Sequence, residues 1–371
     1  MRYSSSKKIS IAVLFFASLV LMGQGCVTLR FGGPAPVQNG GVYVSEDKGE
    51  VWTQKVFAGV VKNKTQTIST ANVSKFLFHP LDPKLMYLGT GNLGLRVSTD
   101  GAETWNSTLT GAGAVNAIGL DPTSTQIVYV GIGGQIHKTT DGGTSWAIVY
   151  TQAVAGYTIN AVAVDPLNAR HVYAGASNGA LLFSDDSGTS WRTLGAKYFS
   201  GGIRDMYFHE SDPGLMLIAT PSAGVFRSPD RGTTWTELIP TTLATKFPGS
   251  LTTGVILMNK RSSSTMLYSS AYGIMRTADG GKTWEGVPLL TKPGEVAILS
   301  FAANPFDFEE IYYGTSANFY KTSNGGREWI TRSLPTTRQP FAMAINPNDA
   351  NKLWLGATKV EKKKKSLFSP L

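Results

Sequence analysis

The pattern S/T-x-D-x-G-x-x-W recurs seven times between Ser45 and Trp329, and it constrains the fold more than any other feature of this 371-residue chain. The copies read SEDKGEVW, STDGAETW, TTDGGTSW, SDDSGTSW, SPDRGTTW, TADGGKTW and TSNGGREW. Their third position is Asp47, Asp100, Asp141, Asp186, Asp230, Asp279 and, in the seventh, Asn324; their last is Trp52, Trp105, Trp146, Trp191, Trp235, Trp284 and Trp329. Successive copies lie 41 to 53 residues apart, the period of one four-stranded propeller blade. Each residue type suits a hairpin: Ser or Thr and a short carboxylate accept backbone N–H groups in a tight turn, Gly supplies a positive φ, and Trp packs into the adjoining core. Asn324 satisfies the same turn donors, so the position reads as structural rather than catalytic.

A second element precedes each box: an apolar strand, a turn rich in Asp-Pro or Asn-Pro, then a strand with an aromatic and often a Gly. AIGLDPTSTQIVYVG and AVAVDPLNARHVYAG show it clearly, and FLFHPLDPKLMYLG is a divergent copy. The order of the two elements implies closure. The repeats begin with a third strand and box, Val42 to about Val56, and end with two strands, Phe341 to Ala357. Joined, they complete one blade from both ends, which removes the exposed edges of an open array.

The box resembles the Asp-box, or bacterial neuraminidase repeat, of sialidases, xyloglucanases, sortilin-type receptors and the photosystem II stability/assembly factor family. The expected fold is all-β, a seven-bladed β-propeller over residues 41–358. The 41 Gly, 18 Pro and 16% charged residues suit many short strands and tight turns.

The ends read differently. Arg2, Lys7 and Lys8 precede an apolar run from Ile9 to Met22, which is the anatomy of an export signal over residues 1–25. Cys26 is the chain's single cysteine, so an internal disulfide is excluded. Its position resembles the lipidated residue of bacterial lipoproteins, with residues 26–40 as a flexible tether. The expected location is extracytoplasmic, membrane-anchored through a Cys26 lipid, or periplasmic or extracellular without it. Residues 359–371 form a basic tail. The net charge of +9 concentrates in the signal and this tail, so the body is near neutral and nucleic acid is not expected as a partner.

Function is expected in residues that break the repeat where first strands and the loops between second and third strands meet at the channel mouth. The candidates are Asn116, Asn160, Arg204, Asp205, Tyr272 and Arg338, and Tyr157 and Tyr198 lie in connections between blades. Glycoside hydrolysis takes two carboxyl groups about 5 to 10 Å apart. Asp205 is the acid on a channel-lining strand, with its neighbour Arg204 on the other face if the strand is regular. Asp121, Asp165, Asp212 and Asp349 read as turn residues, and Glu295 can approach the mouth. The early Arg-Ile-Pro signature of sialidases is missing, and Arg96, Arg227 and Arg276 recur in third strands like Lys138 and Lys321, which fits blade packing. His79, His137, His171 and His209 lack metal-ligand spacing, and no cofactor motif occurs.

Two functions follow as expectations. The first is a monomeric, noncatalytic scaffold that binds a membrane or envelope protein, as the likeness to photosystem assembly factors implies. The alternative is a glycoside hydrolase of sialidase or xyloglucanase type, or a glycan-binding protein of the envelope; xyloglucanase-type enzymes use a cleft between two propellers.

Overall fold

The computed structural model describes residues 39–194, 199–212 and 214–360. The export signal, Cys26, most of the tether, Tyr198 and residues 361–371 of the tail lie outside the described residues. The described chain forms seven four-stranded antiparallel sheets arranged as a seven-bladed β-propeller. From the channel outward, blade 1 comprises Val73–Phe78, Met86–Thr90, Leu95–Ser98 and Asn106–Leu109. The inner strands of blades 2 to 6 are Val115–Leu120, Ile159–Asp165, Asp205–Phe208, Thr253–Asn259 and Ser300–Asn304. Blade 7 is the composite one. Its inner strands Gln339–Asn346 and Asp349–Thr358 come from the C-terminal side, and Gly41–Ser45 and Thr53–Gln54 from the N-terminal side. Gly41–Ser45 pairs with Leu353–Ala357 in antiparallel register, which closes the ring.

Two elements fall outside the repeat. A hairpin of Phe57–Val61 and Lys64–Thr67 is inserted between blades 7 and 1, and a short helix, Thr241–Lys246, follows blade 4.

All seven boxes fold alike. The Ser or Thr hydroxyl donates to the Asp or Asn side chain at 2.6–2.9 Å. It also accepts the N–H two residues beyond that side chain at 2.7–3.1 Å. The carboxylate or amide oxygen accepts the N–H of the residue before Trp at 2.7–2.9 Å. Two consecutive residues in each box have positive φ, where the pattern suggested one. The first position tolerates Lys48, Ser187 and Arg231, while the second is Gly everywhere but Ala102. The first-position N–H of each box donates to a carbonyl in the turn joining the blade's first two strands or at the start of the second strand, at 2.8–3.0 Å in all seven blades. Boxes and these turns therefore occupy one face of the ring, opposite the mouth.

The turns repeat as closely. Asp121, Asp165, Asn259, Asn304 and Asn346 each accept the N–H two residues on through a side-chain oxygen. His79 and His209 fill the same place with Nδ1. The turn acceptor of blade 4 is thus His209, not Asp212.

Trp rings lie between blades. Trp105 is fully buried and donates from Nε1 to the Lys55 carbonyl at 3.0 Å; Trp284 and Trp329 reach Leu238 and Pro288 of the preceding blade's exit. Basic residues of third strands bridge the other way, Lys138 to the Ser187 carbonyl at 2.7 Å and Arg276 to Glu309 at 3.5 Å. Apolar clusters correspondingly straddle neighbouring blades, as where Tyr129 and Ile136 meet Ile159 and Val172.

Blades approach most closely at glycines of second strands. A Cβ on Gly175 would lie 2.2 Å from Cγ2 of Ile203, and one on Gly131 would lie 2.8 Å from the Ile159 carbonyl oxygen. Small residues there let the next blade's entry lean inward. Gly175→Ala is expected to destabilise the ring by about 1–3 kcal/mol through overpacking, read from urea unfolding; an unchanged midpoint would contradict this packing.

Hydrogen bonds hold the box carboxyls low, with Asp141 and Asp186 lowered to about 2, chiefly by the Ser145 and Ser190 hydroxyls. Protons then bind the unfolded chain first. The stability these groups contribute is complete above their ordinary value of 3.8 and is lost as pH falls toward about 2. Asp141→Asn should flatten the fall of melting temperature across that acid window while leaving the neutral melting temperature nearly unchanged, since Asn324 makes the same turn.

Candidate functional site

The inner strands explain why the repeat breaks at the mouth. In blades 1, 2, 3 and 7 the pairing with the second strand slips by one residue at Ser74, Asn116, Asn160 and Phe341. Blade 5 slips between Thr253 and Ile256. In blade 4 the Arg204 N–H donates to the Ala219 carbonyl while Asp205 pairs with Ala219, so two residues again face one. Such bulges re-aim side chains. Arg204 and Asp205 thereby serve different parts of the channel.

The mouth holds a cavity of about 540 Å³ lined by parts of blades 1, 4, 5, 6 and 7, among them Ser74, Arg204, Thr252, Ser270, Leu299 and Phe341. Phe341 is 41% exposed there. A second cavity of about 580 Å³ is lined by the inner strands farther toward the box face, including Lys75, Asp205 and Tyr207. Lys75 Nζ and Asp205 Oδ2 meet at 2.7 Å between blades 1 and 4. Since Ser74 and Arg204 line one cavity and their immediate neighbours Lys75 and Asp205 the other, this ion pair lies where the two adjoin.

Both oxygens of Asp205 have partners. Its Oδ2 takes the Lys75 ammonium and its Oδ1 accepts the Met206 N–H at 3.0 Å. Enclosure in the channel, followed by the nearby Asp205 carboxylate, pushes the Tyr207 phenol well up. Tyr207 therefore remains protonated.

Three of the candidate mouth residues tie blades together. Arg204 Nη1 donates to the Thr253 carbonyl of blade 5. Asn160 Nδ2 donates to the Ile203 carbonyl at 3.2 Å, and Arg338 Nη1 to the Ala71 carbonyl at 3.2 Å. Ser74 and Thr358 do the same with Val115 and Val73. Asn116 is half-buried on its bulge. Tyr272 stands apart from the mouth cavity, packed edge-on to Phe247 at 5.1 Å beside the 287–293 loop, although its neighbours Ser270 and Ala271 line the mouth. Phe341 was missed in the sequence reading because it follows the regular apolar pattern of a first strand.

Other acids lie elsewhere. Asp165 is buried against Arg231 Nε at 2.8 Å on the box face. Glu295 is exposed on the loop whose continuation, Ala297 to Leu299, borders the mouth cavity, and its Oε2 accepts the Lys292 N–H at 3.0 Å. Among the described residues no group of three or more His, Cys, Asp or Glu is placed to hold a metal ion, and no helix is long and apolar enough to cross a membrane.

No family model matches the chain. It is similar to an oligoxyloglucan-reducing-end-specific xyloglucanase of Emericella nidulans, 24% identical over 86% of this chain and 40% of that protein. A Paenibacillus xyloglucanase is 26% identical over 77% of this chain and 30% of its own length. The chain thus spans less than half the length of these relatives. Among solved structures, the GH74 xyloglucanase of Xanthomonas campestris superposes with a TM-score of 0.62 at 17% identity, over 83% of this chain and 52% of that one. The structure of YCF48 bound to D1 peptide superposes at 0.58 and 16% identity, over 78% of this chain and 94% of that one.

These findings correct the first functional expectation. The sequence relatives named here are xyloglucanases, and GH74 enzymes stand among the structural neighbours, which counts against the noncatalytic assembly scaffold and favours the glycoside-hydrolase alternative.

The staple role of Arg204 makes a distinct prediction. Arg204→Ala should lower stability by roughly 1–2 kcal/mol, because a charge-assisted bond to a neighbouring blade is lost. A change within about 0.5 kcal/mol, the usual effect of an unengaged surface residue, would contradict that role.

Proposed function

We propose that the chain is a carbohydrate-active propeller of the xyloglucanase kind, whose mouth face forms a sugar-binding wall for xyloglucan-type polysaccharide. The observation that carries this reading is the sequence likeness to a named xyloglucanase across 86% of the chain. The mouth chemistry supports it. Phe341 offers an exposed aromatic face, and Thr252 and backbone groups elsewhere in the lining offer the sparse polar contacts that orient a ligand in an otherwise apolar cavity.

Hydrolysis asks for more than binding. Two carboxyl groups must flank the scissile bond, one to protonate the leaving oxygen and one to act as base or nucleophile. Asp205 has both oxygens occupied and borders the deeper cavity, which disfavours it for either part. Glu295 is the exposed carboxyl nearest in sequence to the cavity border and is assigned the proton-handling role at this wall. An extracytoplasmic location suits a polymeric substrate and accords with the signal-like N-terminus.

Calorimetric titration with xyloglucan oligosaccharides tests the reading. Saturable binding is expected, weakened about tenfold, or about 1.4 kcal/mol, by Phe341→Ala and unaffected by Glu295→Gln. Any release of reducing ends should disappear in Glu295→Gln. Absence of saturable binding to the unmodified chain would overturn the proposal.

A further inference from the structure

His79 and His137 enter the same seam, the one between blades 1 and 2, from opposite sides. His79 begins the turn that joins the first two strands of blade 1; it is fully buried, and its Nδ1 accepts the Leu81 N–H at 3.2 Å. His209 holds the same place in blade 4, where its Nε2 meets the Asn259 carbonyl of the next blade at 2.9 Å. A ring at this turn therefore faces onward round the propeller. For His79 the onward neighbours are Asp121 and Ser124 in the turn of blade 2.

His137 points back. On its strand Lys138 reaches the Ser187 carbonyl of blade 3, so the adjacent side chain lies on the face toward blade 1. Directly across from it in the sheet is Val130, which packs with Tyr87 and Val97 of blade 1. His137 is 8% exposed, and its Nε2 has no hydrogen-bond partner among the described residues. The seam around the two rings is otherwise apolar, with Leu85, Val115, Ile118 and Val128.

Such surroundings favour neutral imidazoles. Burial pushes His79 below its ordinary value, against the backbone at Ser124 and Asp121 and the Asp121 and Asp82 carboxylates, which favour its charged form. Burial also pushes His137 down, and its neighbours across the sheet, Val130 and Ile148, carry no charge. A proton on Nδ1 of His79 would end its bond from Leu81, and a charged His137 would bring a further donor into apolar surroundings. Neither imidazole is needed for the blade to form. Asn259, Asn304 and Asn346 make the same turn in blades 5 to 7, and Leu182, Phe226 and Met275 stand two residues before the box in blades 3 to 5, as His137 does in blade 2.

We propose that the seam between blades 1 and 2 is an acid-sensitive joint, at which the ring loosens ahead of its other seams as pH falls through the range where histidine titrates. The opened or unfolded chain takes up the protons first. The stability of the seam is therefore complete above the ordinary histidine value of 6.5 and is lost progressively as pH falls below it. The box carboxyls titrate far lower, so the two windows are distinct. The joint does not rest on the carbohydrate reading.

Hydrogen exchange of the full chain at about pH 7.5 and about pH 5, corrected for the intrinsic rate, tests it. The Leu81 N–H should exchange about tenfold or more faster at the lower pH, measured against the Arg261 N–H, which the Asn259 side chain holds in the same turn of blade 5. An equal change at Leu81 and Arg261 would overturn the joint. The melting temperature should fall between the same two pH values, and His79→Asn combined with His137→Leu should remove most of that fall. An undiminished fall in the double variant would overturn the assignment to these two residues. The exchange comparison uses the unmodified chain, so it stands even if the variant fails to fold.

Discussion

Five backbone pairs between Gly41–Ser45 and Leu353–Ala357 hold the ring closed, and the remaining blades depend on them. Each blade buries its faces only against its neighbours, as the apolar clusters that straddle adjacent sheets make plain. An open ring would expose two such faces and two strand edges. The closing strand is reinforced beyond its own sheet. Lys48 pairs with the buried Glu310 of blade 6 at 2.7 Å, and Glu50 meets both Lys321 and Arg332. Closure joins residues nearly the whole ring apart in sequence, so it costs loop entropy that local hairpins do not.

The same close packing shapes the channel. Small second-strand residues bring each inner strand against the next, and bulges at the mouth accommodate the crowding. Side chains on or beside those bulges either reach a neighbouring carbonyl, as Ser74, Asn160 and Arg204 do, or stand open, as Phe341 does. Staples and an exposed aromatic platform thus arise from one irregularity. Below them the Lys75–Asp205 pair lies where the mouth cavity adjoins the deeper one.

Blade number and composite closure were legible because each follows from a local pattern repeated at a fixed period. Asp141 or Asn324 can be read from a single hairpin, since all its hydrogen bonds lie within a few residues. The site was less legible because its geometry is set between blades. Nothing near Arg204 in sequence announces that its guanidinium meets Thr253, or that Asp205 is taken by Lys75, a residue on a different blade. Phe341 was hidden by resembling core, and the deeper cavity was hidden because the residues that line it read as ordinary strand interior. The inserted hairpin Phe57–Val61 with Lys64–Thr67 has no counterpart in the other blades, so repetition gave no guide to it.

The central claim is that the mouth of this propeller is a wall that binds sugar. A crystal structure of the chain with a xyloglucan oligosaccharide tests it most directly. The account predicts a pyranose ring against Phe341 within the cavity that Thr252 and Ser270 border. Sugar bound only on the box face or the outer strands, with the mouth unoccupied at saturating ligand, would contradict it.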